Sequence, residues 1–164
     1  MIAAALLRTC VGVASASTQT ASIRECFAGS ASNILVIDDV TASNVKVGST
    51  MTLNYSVELE KEVSGSPQLV FTMTSGSTEL PCLGEVGSCT YDICGGTGNI
   101  EQQIASPWNN TCPIPPGDYS NSLVVKIPRL AGIFITTDSI NVKIEGKNNG
   151  QSLGCVQFDI KVEK

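Results

Sequence analysis

The chain has 164 residues, of which 42% are hydrophobic and 15% are charged. This balance is typical of one globular domain with a core of its own and excludes a disordered chain. Ten basic residues stand against fifteen acidic residues, a net charge of −5 with no basic cluster, which excludes a nucleic-acid partner. There is no histidine, so the usual proton carrier of nucleophilic and general-base catalysis is missing, and we predict that the protein is not an enzyme.

The N-terminus has the features of a secretion signal. The sequence MIAAALLRTCVGVASAS is largely apolar, with Arg8 inside it, and ends in the small residues that signal peptidase cuts. We therefore predict a signal peptide over residues 1–16 and a mature domain over residues 17–164. No later apolar run approaches the roughly 20 residues that a membrane-spanning helix needs.

Removal of this leader also removes Cys10 and leaves an even number of cysteines. The remaining six are Cys26, Cys82, Cys89, Cys94, Cys112 and Cys155. An even set fits disulfides formed in an oxidising compartment. The closest spacings are wider than the cysteine pairs of a zinc site, so we predict no metal and no cofactor. Spacing alone leaves all of the roughly 15 pairings open.

Apolar and polar residues alternate with a period of two along most of the chain, which predicts β-strands. The apolar faces are Met51, Leu53, Tyr55, Val57 and Leu59 in TMTLNYSVELEK; Leu69, Phe71 and Met73 in QLVFTMTS; Leu123, Val125 and Ile127 in SLVVKIP; Ile140, Val142 and Ile144 in DSINVKIEG; and Val156, Phe158, Ile160 and Val162 near the C-terminus. A sixth strand is expected in ILVIDDV. The predicted fold is all-β, an antiparallel β-sandwich with one face of each sheet in water. Acidic residues that could replace histidine in catalysis, such as Glu58 and Asp159, fall on the solvent faces.

Several loops carry candidate features. CPIPPGDYS at 112–120 predicts a rigid turn, because its prolines fix the backbone and its glycine allows the chain to reverse. The loop PRLAGIFITT at 128–137 either folds inward or meets a membrane or ligand, because its apolar residues are Leu130, Ile133, Phe134 and Ile135. Trp108 is a second candidate for such a surface, with half-buried packing as the alternative. Two sequons predict N-glycosylation at Asn54 and Asn109.

Three cysteine segments resemble the landmarks of the ML (lipid-recognition) domain family: GSCTYDIC at 87–94, CPIPPGDYS at 112–120 and SLGCVQFDIKV at 152–162. This family includes the Niemann-Pick type C sterol carrier and the mite group 2 allergens. The segments LEKEVSG at 59–65 and LPCLGEVGSC at 80–89 resemble those of the ganglioside activator (sphingolipid activator) branch in the same order. The resemblance covers roughly residues 26–164.

The resemblance implies an immunoglobulin-like sandwich (a β-cup) that is stapled by three disulfides, Cys26–Cys155, Cys82–Cys89 and Cys94–Cys112. One further disulfide of the vertebrate ganglioside activator is absent, which leaves residues 95–111 less constrained. The resemblance also implies an apolar lipid cavity between the sheets, lined by Val57, Leu59, Phe71, Met73, Leu123, Val125, Ile127, Ile140, Val142, Ile144 and Phe158. The cavity mouth or membrane-contacting loop would comprise Trp108, Leu130, Ile133, Phe134 and Ile135.

The implied function is non-enzymatic lipid binding and transfer or activation, with the acyl chains of a glycolipid or related lipid held between the sheets. A sterol or fatty-acid carrier, or a lipid-sensing recognition protein of the same fold, is the alternative. The expected partners are a lipid ligand (glycolipid, phospholipid or sterol), a transiently contacted membrane surface and a lipid-processing hydrolase. The expected location is outside the cell or in the lysosomal lumen.

Overall fold

A computed structural model describes residues 17–26 and 33–164, and β-strands dominate this part of the chain. The strands are β1 (Thr18–Thr20), β2 (Arg24–Glu25), β3 (Leu35–Ser43), β4 (Thr50–Leu59), β5 (Gln68–Ser75), β6 (Thr78–Glu79), β7 (Thr90–Asp92), β8 (Gly117–Lys126), β9 (Ser139–Asn148) and β10 (Gln151–Lys161). Within residues 17–26 and 33–164, one α-helix, α1 (Asn99–Ala105), and two 3₁₀ helices, Ser106–Trp108 and Arg129–Ile133, lie between strands. None of the described helices is long and apolar enough to cross a membrane. The predicted signal peptide lies outside the described residues.

The strands form two antiparallel sheets that pack face to face. Sheet A has the order β1-β3-β4-β8, and sheet B has the order β2-β10-β9-β5-β6, with β7 also paired to β5. Neighbouring strands in each sheet are antiparallel throughout. The predicted all-β antiparallel sandwich is therefore confirmed, and all six strands expected from the sequence are present as β3, β4, β5, β8, β9 and β10.

Strand β9 shows why alternation predicts this fold. Its residues Ile140, Val142 and Ile144 are buried, whereas the residues between them are only partly buried. Successive side chains of a strand point to opposite faces, so one face of β9 enters the core and the other faces water. The same rule places the alternating segments of β4 and β8 with their apolar faces toward sheet B.

A bulge in β3 places two apolar residues in the core, although in a regular strand their spacing would point them to opposite faces of the sheet. The register between β3 and β4 shifts between Asp38 and Thr41, and Asp39 has a left-handed backbone with φ of 52°. Asp is one of the few residues that adopts this conformation at modest cost. As a result, both Ile37 and Val40 are buried.

A second bulge brings β10 close to β3. The register of β10 shifts between Ser152 and Gly154, and a Cβ at Gly154 would lie 2.2 Å from the carbonyl oxygen of Leu35. Only glycine permits this approach, which the φ of 153° at Gly154 also requires. The two sheets are therefore in close contact at the end of the sandwich where β3 begins.

The three disulfides join Cys26 to Cys155, Cys82 to Cys89 and Cys94 to Cys112, which are the pairs that the family resemblance implies. The first bond lies within sheet B, because Cys26 follows β2 and Cys155 belongs to β10. The second closes a short hairpin between β6 and β7. The third connects the end of β7 to the loop that leads into β8.

Helix α1 fixes the region that was expected to be less constrained. With seven residues it is too short to show a helical period in the sequence. The side chain of Gln103 pairs with the backbone of Val124 on the free edge of β8, donating to its carbonyl oxygen at 3.1 Å and accepting from its N–H at 2.8 Å. Asn121 donates to the carbonyl oxygens of Gln103 and Ile104. Hydrogen bonds thus hold α1 against sheet A where no disulfide does.

Candidate functional site

An apolar cavity of about 80 Å³ lies between the two sheets. Eight of the residues predicted from the sequence lie on its wall: Phe71, Met73, Leu123, Val125, Ile127, Ile140, Val142 and Phe158. They meet because the inward faces of β4 and β8 in sheet A oppose those of β5, β9 and β10 in sheet B. Apart from Glu85 and the phenol of Tyr91, the lining side chains are aliphatic, aromatic or thioether groups.

The wall also contains residues that the sequence analysis did not select. These are Val45, Met51, Leu53, Leu80, Glu85, Val86, Tyr91, Ile100, Ala131 and Ile160. Met51, Leu53 and Ile160 share the inward parity of the predicted residues, so alternation carried a signal for them. Glu85 and Val86 come from the hairpin between β6 and β7, and Ile100 comes from α1. Alternation does not detect such residues, because none of them belongs to a regular strand.

A second, much smaller space of about 10 Å³ adjoins the cavity deeper in the sandwich. Ile144, which was predicted to line the main cavity, lines this space instead. Four side chains line both spaces and form the partition between them: Leu53, Phe71, Leu123 and Phe158. The partition therefore sets the depth of the main cavity.

Val57 and Leu59 need a correction, because these two predicted lining residues are buried in the core but line neither space. They lie in the second half of β4, where Leu59 pairs with Leu35 of β3. At this end Gly154 lets β10 approach Leu35 closely, so the sheets touch and leave no room. Parity predicts which face of a strand is inward, but not where the two sheets separate.

The cavity lies at the end of the sandwich away from two of the disulfides. Along β9, Ile140 and Val142 line the cavity, whereas Glu145, which pairs with Cys155, lies beyond it. Cys112 is also distant from the cavity. It precedes β8, whose first residue, Gly117, pairs with Leu59 at the end of β4 where the sheets touch. Of these two bonds, Cys94–Cys112 joins the end of β7 in sheet B to the loop that leads into β8 of sheet A, so it links the two sheets at the end of the sandwich that has no cavity.

The loop between β8 and β9 (residues 127–138, the β8–β9 loop) points some apolar side chains inward and others outward. Ala131 and Ile135 are buried and line the cavity. Leu130 and Ile133 are 54% and 71% exposed, and Phe134 is half-buried against the core. The 3₁₀ helix Arg129–Ile133 explains the division, because residues three apart in such a helix share one side. Leu130 and Ile133 thus form one exposed apolar pair beside the cavity.

Trp108 lies away from this loop and lines neither space. Its indole N–H donates to the carbonyl oxygen of Ile93 at 2.7 Å. Its ring meets Tyr119 edge to face, with centroids 5.4 Å apart. The structure therefore places Trp108 in half-buried packing, the alternative that the sequence left open.

The one hydroxyl group among the described side chains that line the cavity, that of Tyr91, is already engaged in a hydrogen bond within the protein. The Tyr91 hydroxyl donates to the carbonyl oxygen of Glu85 at 2.5 Å. Burial raises the pKa of Tyr91, and the carboxylates of Glu85 and Glu101 raise it further, so the phenol stays neutral. The described residues contain no group of three or more His, Cys, Asp or Glu side chains that could hold a metal ion. What this arrangement can do is bury hydrocarbon.

Comparison with known proteins agrees with this architecture. A family model described as ML domain matches residues 20–162. A crystal structure of a Niemann-Pick type C2 protein from the Japanese carpenter ant is similar in fold, with a TM-score of 0.54 at 12% sequence identity. The similarity covers 87% of this chain and 99% of that chain. No curated protein matches the sequence.

Proposed function

The chain belongs to the ML domain family, and from this premise we propose that it is a non-enzymatic carrier that holds the hydrocarbon part of a lipid between its two sheets. The observation that carries this proposal is the cavity, whose wall is built from apolar side chains of both sheets. Burying a ligand methylene there contributes about 0.8 kcal/mol without any polar contact. An acyl chain or a sterol skeleton fits such a wall chemically.

The size of the cavity indicates that loading separates the sheets. About 80 Å³ is well below the roughly 300–1,000 Å³ of most ligand sites. At the other end of the sandwich the Cys94–Cys112 bond links sheet B to the loop that leads into sheet A, whereas Cys26–Cys155 lies within sheet B and Cys82–Cys89 closes only its own hairpin. The cavity end can therefore open while the stapled end stays closed.

The exposed pair Leu130 and Ile133 supports a membrane step. These residues belong to the same short helix as Ala131, which lines the cavity, so a membrane surface that contacts them lies next to the cavity. Two exposed aliphatic side chains at one tip suit transient contact with a bilayer rather than stable insertion. A lipid could then pass between the bilayer and the cavity without crossing water.

Within the family, we place the protein nearest to the ganglioside-activator branch, as a carrier that holds the acyl chains of a glycolipid or related lipid. The support is the pair of segments at 59–65 and 80–89, of which the second forms the hairpin that contributes Glu85 and Val86 to the wall. A sterol or fatty-acid carrier is the second candidate. It is favoured by the wall's lack of a set of polar side chains that could recognise sugar hydroxyls.

The cellular setting is also part of the proposal. We place the mature protein outside the cell or in the lysosomal lumen, where a lipid-processing hydrolase could receive its ligand. The three disulfides fit an oxidising compartment. Both sequon asparagines, Asn54 on the outer face of sheet A and Asn109 after a 3₁₀ helix, are exposed and could carry glycans without disturbing the core.

Native mass spectrometry of the protein secreted from eukaryotic cells tests the proposal. The wild-type protein should retain a lipid, whose mass identifies its class. The Val125→Phe variant should lose it, because Val125 lines the cavity and the larger ring would fill the space.

The neighbouring Val124 provides a matched control, because it points outward from the same strand and is 52% exposed. Val124→Phe adds the same ring outside the cavity and should retain the lipid. Equal lipid content in both variants would contradict the cavity as the binding site.

A further inference from the structure

The hairpin between β6 and β7 (residues 80–89, the β6–β7 hairpin) closes the cavity at one side of the sandwich. Strand β8 is the edge of sheet A on this side, and β6 and β7 border sheet B. The hairpin contributes Leu80, Glu85 and Val86 to the cavity wall. Val86 is also half-buried, so it borders both the cavity and the surface. The hairpin thus separates the cavity from solvent between the two sheet edges.

Hydrogen bonds attach the base of this hairpin to sheet B. The Leu80 N–H donates to the Met73 carbonyl oxygen at 2.9 Å, and the Met73 N–H donates to Ser88 Oγ at 3.0 Å. The Phe71 N–H donates to the Cys89 carbonyl oxygen at 2.8 Å. Within the described part of the chain, no hydrogen bond joins the hairpin to sheet A or to the β8–β9 loop. The hairpin is therefore attached along one side only.

The β8–β9 loop, by contrast, is bonded to both sheets. At its start, the Ile127 N–H donates to the carbonyl oxygen of Ser49, which directly precedes β4 of sheet A, at 2.9 Å. Near its end, the Thr136 N–H donates to the hydroxyl of Ser75 in β5 of sheet B at 3.0 Å. Moving this loop away from either sheet therefore breaks hydrogen bonds.

Helix α1, which contributes Ile100 to the wall, is likewise bonded to both sheets. The side chain of Gln103 pairs with the backbone of β8 in sheet A. On the other side, the Glu101 carboxylate accepts the N–H of Asp92, the last residue of β7 in sheet B, at 3.1 Å. Of these three wall segments, the hairpin is therefore the one that can move away from sheet A without breaking a hydrogen bond to it.

The tip of the hairpin is a closed unit. Leu83 and Val86 exchange both backbone hydrogen bonds, at 2.7 and 3.0 Å, around a two-residue turn. The Cys82–Cys89 disulfide joins the two arms of the hairpin behind this turn. Because the arms are joined in both ways, the tip moves as one body about the base.

Tyr91 of β7 holds this tip in place. Its hydroxyl donates to the carbonyl oxygen of Glu85 in the turn at 2.5 Å, and this is the one hydrogen bond between residues 83–86 and the rest of the described chain. Tyr91 is buried, and its ring meets Phe71 of β5 edge to face, with centroids 5.1 Å apart. The Glu85 side chain also lies against Gly98, but it forms no hydrogen bond there. A phenol anchored in sheet B thus fixes the tip over the cavity by a single polar contact.

We infer that the tip of the β6–β7 hairpin is the movable part of the wall through which a ligand enters and leaves, and that Tyr91 is the positioning residue that keeps it closed. The inference rests on the proposed carrier function and gives the ligand a route. A segment held by few contacts opens more readily than the sheets around it, and such openings set the rate at which ligands exchange. In this mechanism the Tyr91 bond holds the tip both before and after loading, so it governs the rates of entry and exit but not the affinity.

The test measures the exchange of two fluorescent probes by stopped-flow fluorescence: cis-parinaric acid, which is a linear chain, and dehydroergosterol, which is a sterol. Tyr91→Phe removes the hydroxyl and keeps the ring. In this variant the association and dissociation rates of a bound probe should both rise about fivefold, the effect of losing one hydrogen bond. The Kd should stay within about twofold of the wild-type value, because both rates change together.

Tyr119→Phe is the matched control. The Tyr119 hydroxyl also donates to a backbone carbonyl oxygen, that of Pro115, at 2.6 Å, and its ring meets Trp108 edge to face, but Tyr119 lines neither space. Its replacement should leave both rates unchanged. If Tyr91→Phe changes neither rate or changes only the Kd, or if Tyr119→Phe accelerates exchange equally, the inference is wrong although the carrier function stands.

A crosslink tests the same motion without a change at Tyr91. Gly98 has an extended backbone with φ of −66°, so a cysteine fits there once the Glu85 side chain is shortened. In the double variant Glu85→Cys, Gly98→Cys, dibromobimane joins the tip to the start of α1. The crosslinked protein should load and release a probe several-fold more slowly than the same variant before crosslinking. Equal rates before and after crosslinking would overturn the inference alone. If the wild-type protein binds neither probe, the carrier function fails together with the inference.

Discussion

Ser75 and Thr136 hold each other by two hydrogen bonds that run in opposite directions. The Thr136 N–H donates to Ser75 Oγ at 3.0 Å, and the Thr136 hydroxyl donates to the Ser75 carbonyl oxygen at 2.8 Å. Ser75 Oγ also accepts the N–H of Thr137 at 3.0 Å. Ser75 is the last residue of β5 and is fully buried. Thr136 directly follows Ile135, which lines the cavity. This contact anchors the β8–β9 loop to sheet B.

Replacing Ser75 by alanine should destabilise the fold and loosen this loop. The change leaves the N–H groups of Thr136 and Thr137 without their acceptor, and a buried donor without a partner costs about 1–3 kcal/mol. We expect chemical denaturation to show a loss of about 2–3 kcal/mol in the free energy of unfolding, with faster amide exchange around Ile135. Ser77→Ala, at an exposed position nearby, should change stability by less than about 0.5 kcal/mol. Equal stability of the two variants would contradict the anchoring role.

The three disulfides should contribute unequally to stability. They join residues 129, 18 and 7 positions apart, and the entropy that a crosslink removes from the unfolded chain grows with this separation. Replacing both cysteines of a pair by serine should therefore cost about 5 kcal/mol for Cys26–Cys155, about 3 for Cys94–Cys112 and about 2.5 for Cys82–Cys89. Thermal unfolding of the three double variants measures the order. A larger loss for the hairpin bond than for the long one would contradict the chain-entropy argument.

The sequence predicted the strands better than the site. Alternation reports which face of a strand is inward, so β9 and the first half of β4 could be assigned from residues such as Val142 and Met51. It does not report where the two sheets separate, which depends on the approach of Gly154 to Leu35. Val57 was therefore predicted to line the cavity, whereas a bulge in β10 brings the two sheets together at its end of β4.

The part of the wall outside the strands could not be predicted for a different reason. Glu85 reaches the cavity only because a two-residue turn and the Cys82–Cys89 bond fold the hairpin back on sheet B. Ile100 reaches it from a helix too short to show a period. In the β8–β9 loop the sequence marked the apolar residues, and the 3₁₀ geometry then decided that Ile135 is buried and Ile133 exposed.

Leu53 should control how long an acyl chain the cavity accepts. It belongs to the partition between the main cavity and the deeper space, so Leu53→Ala would join the two. We expect the optimum in a displacement series of straight-chain alcohols to move to longer chains. Val57→Ala is the matched control, because it also enlarges the core from β4 but adjoins neither space. Both variants should be less stable than the wild type, and Leu53→Ala should lower the free energy of unfolding by about 2–5 kcal/mol. An unchanged optimum in Leu53→Ala would show that the partition does not limit depth.

Tyr55 should make the fold sensitive to alkaline pH. Burial raises the pKa of Tyr55 to about 12, and the hydrogen bond from Asn121 opposes this shift only partly. The pKa is higher in the folded than in the unfolded state, so the stabilisation is complete below pH 10 and is lost as the pH rises from about 10 to 12. In Tyr55→Phe, the loss of unfolding free energy over this range should be smaller by roughly 2 kcal/mol. Identical alkaline profiles for the two proteins would contradict the assignment.

Ile133 should act in membrane contact, and a comparison with Ile135 in the same loop separates this role from a role in folding. Ile133 is 71% exposed and Ile135 is 1% exposed, so the same substitution should have different effects on stability at the two positions. Ile135→Asp buries an unpaired charge and should destabilise the fold by several kcal/mol, whereas Ile133→Asp should leave the melting temperature within a few degrees of the wild-type value.

The folded Ile133→Asp protein should nevertheless extract lipid from phosphatidylcholine vesicles several-fold more slowly, because a carboxylate enters the bilayer interface less readily than an aliphatic side chain. Ser77→Asp adds the same charge at an exposed polar position and controls for charge alone. If extraction by Ile133→Asp matches that of Ser77→Asp and of the wild type, the exposed pair of the β8–β9 loop has no part in lipid transfer.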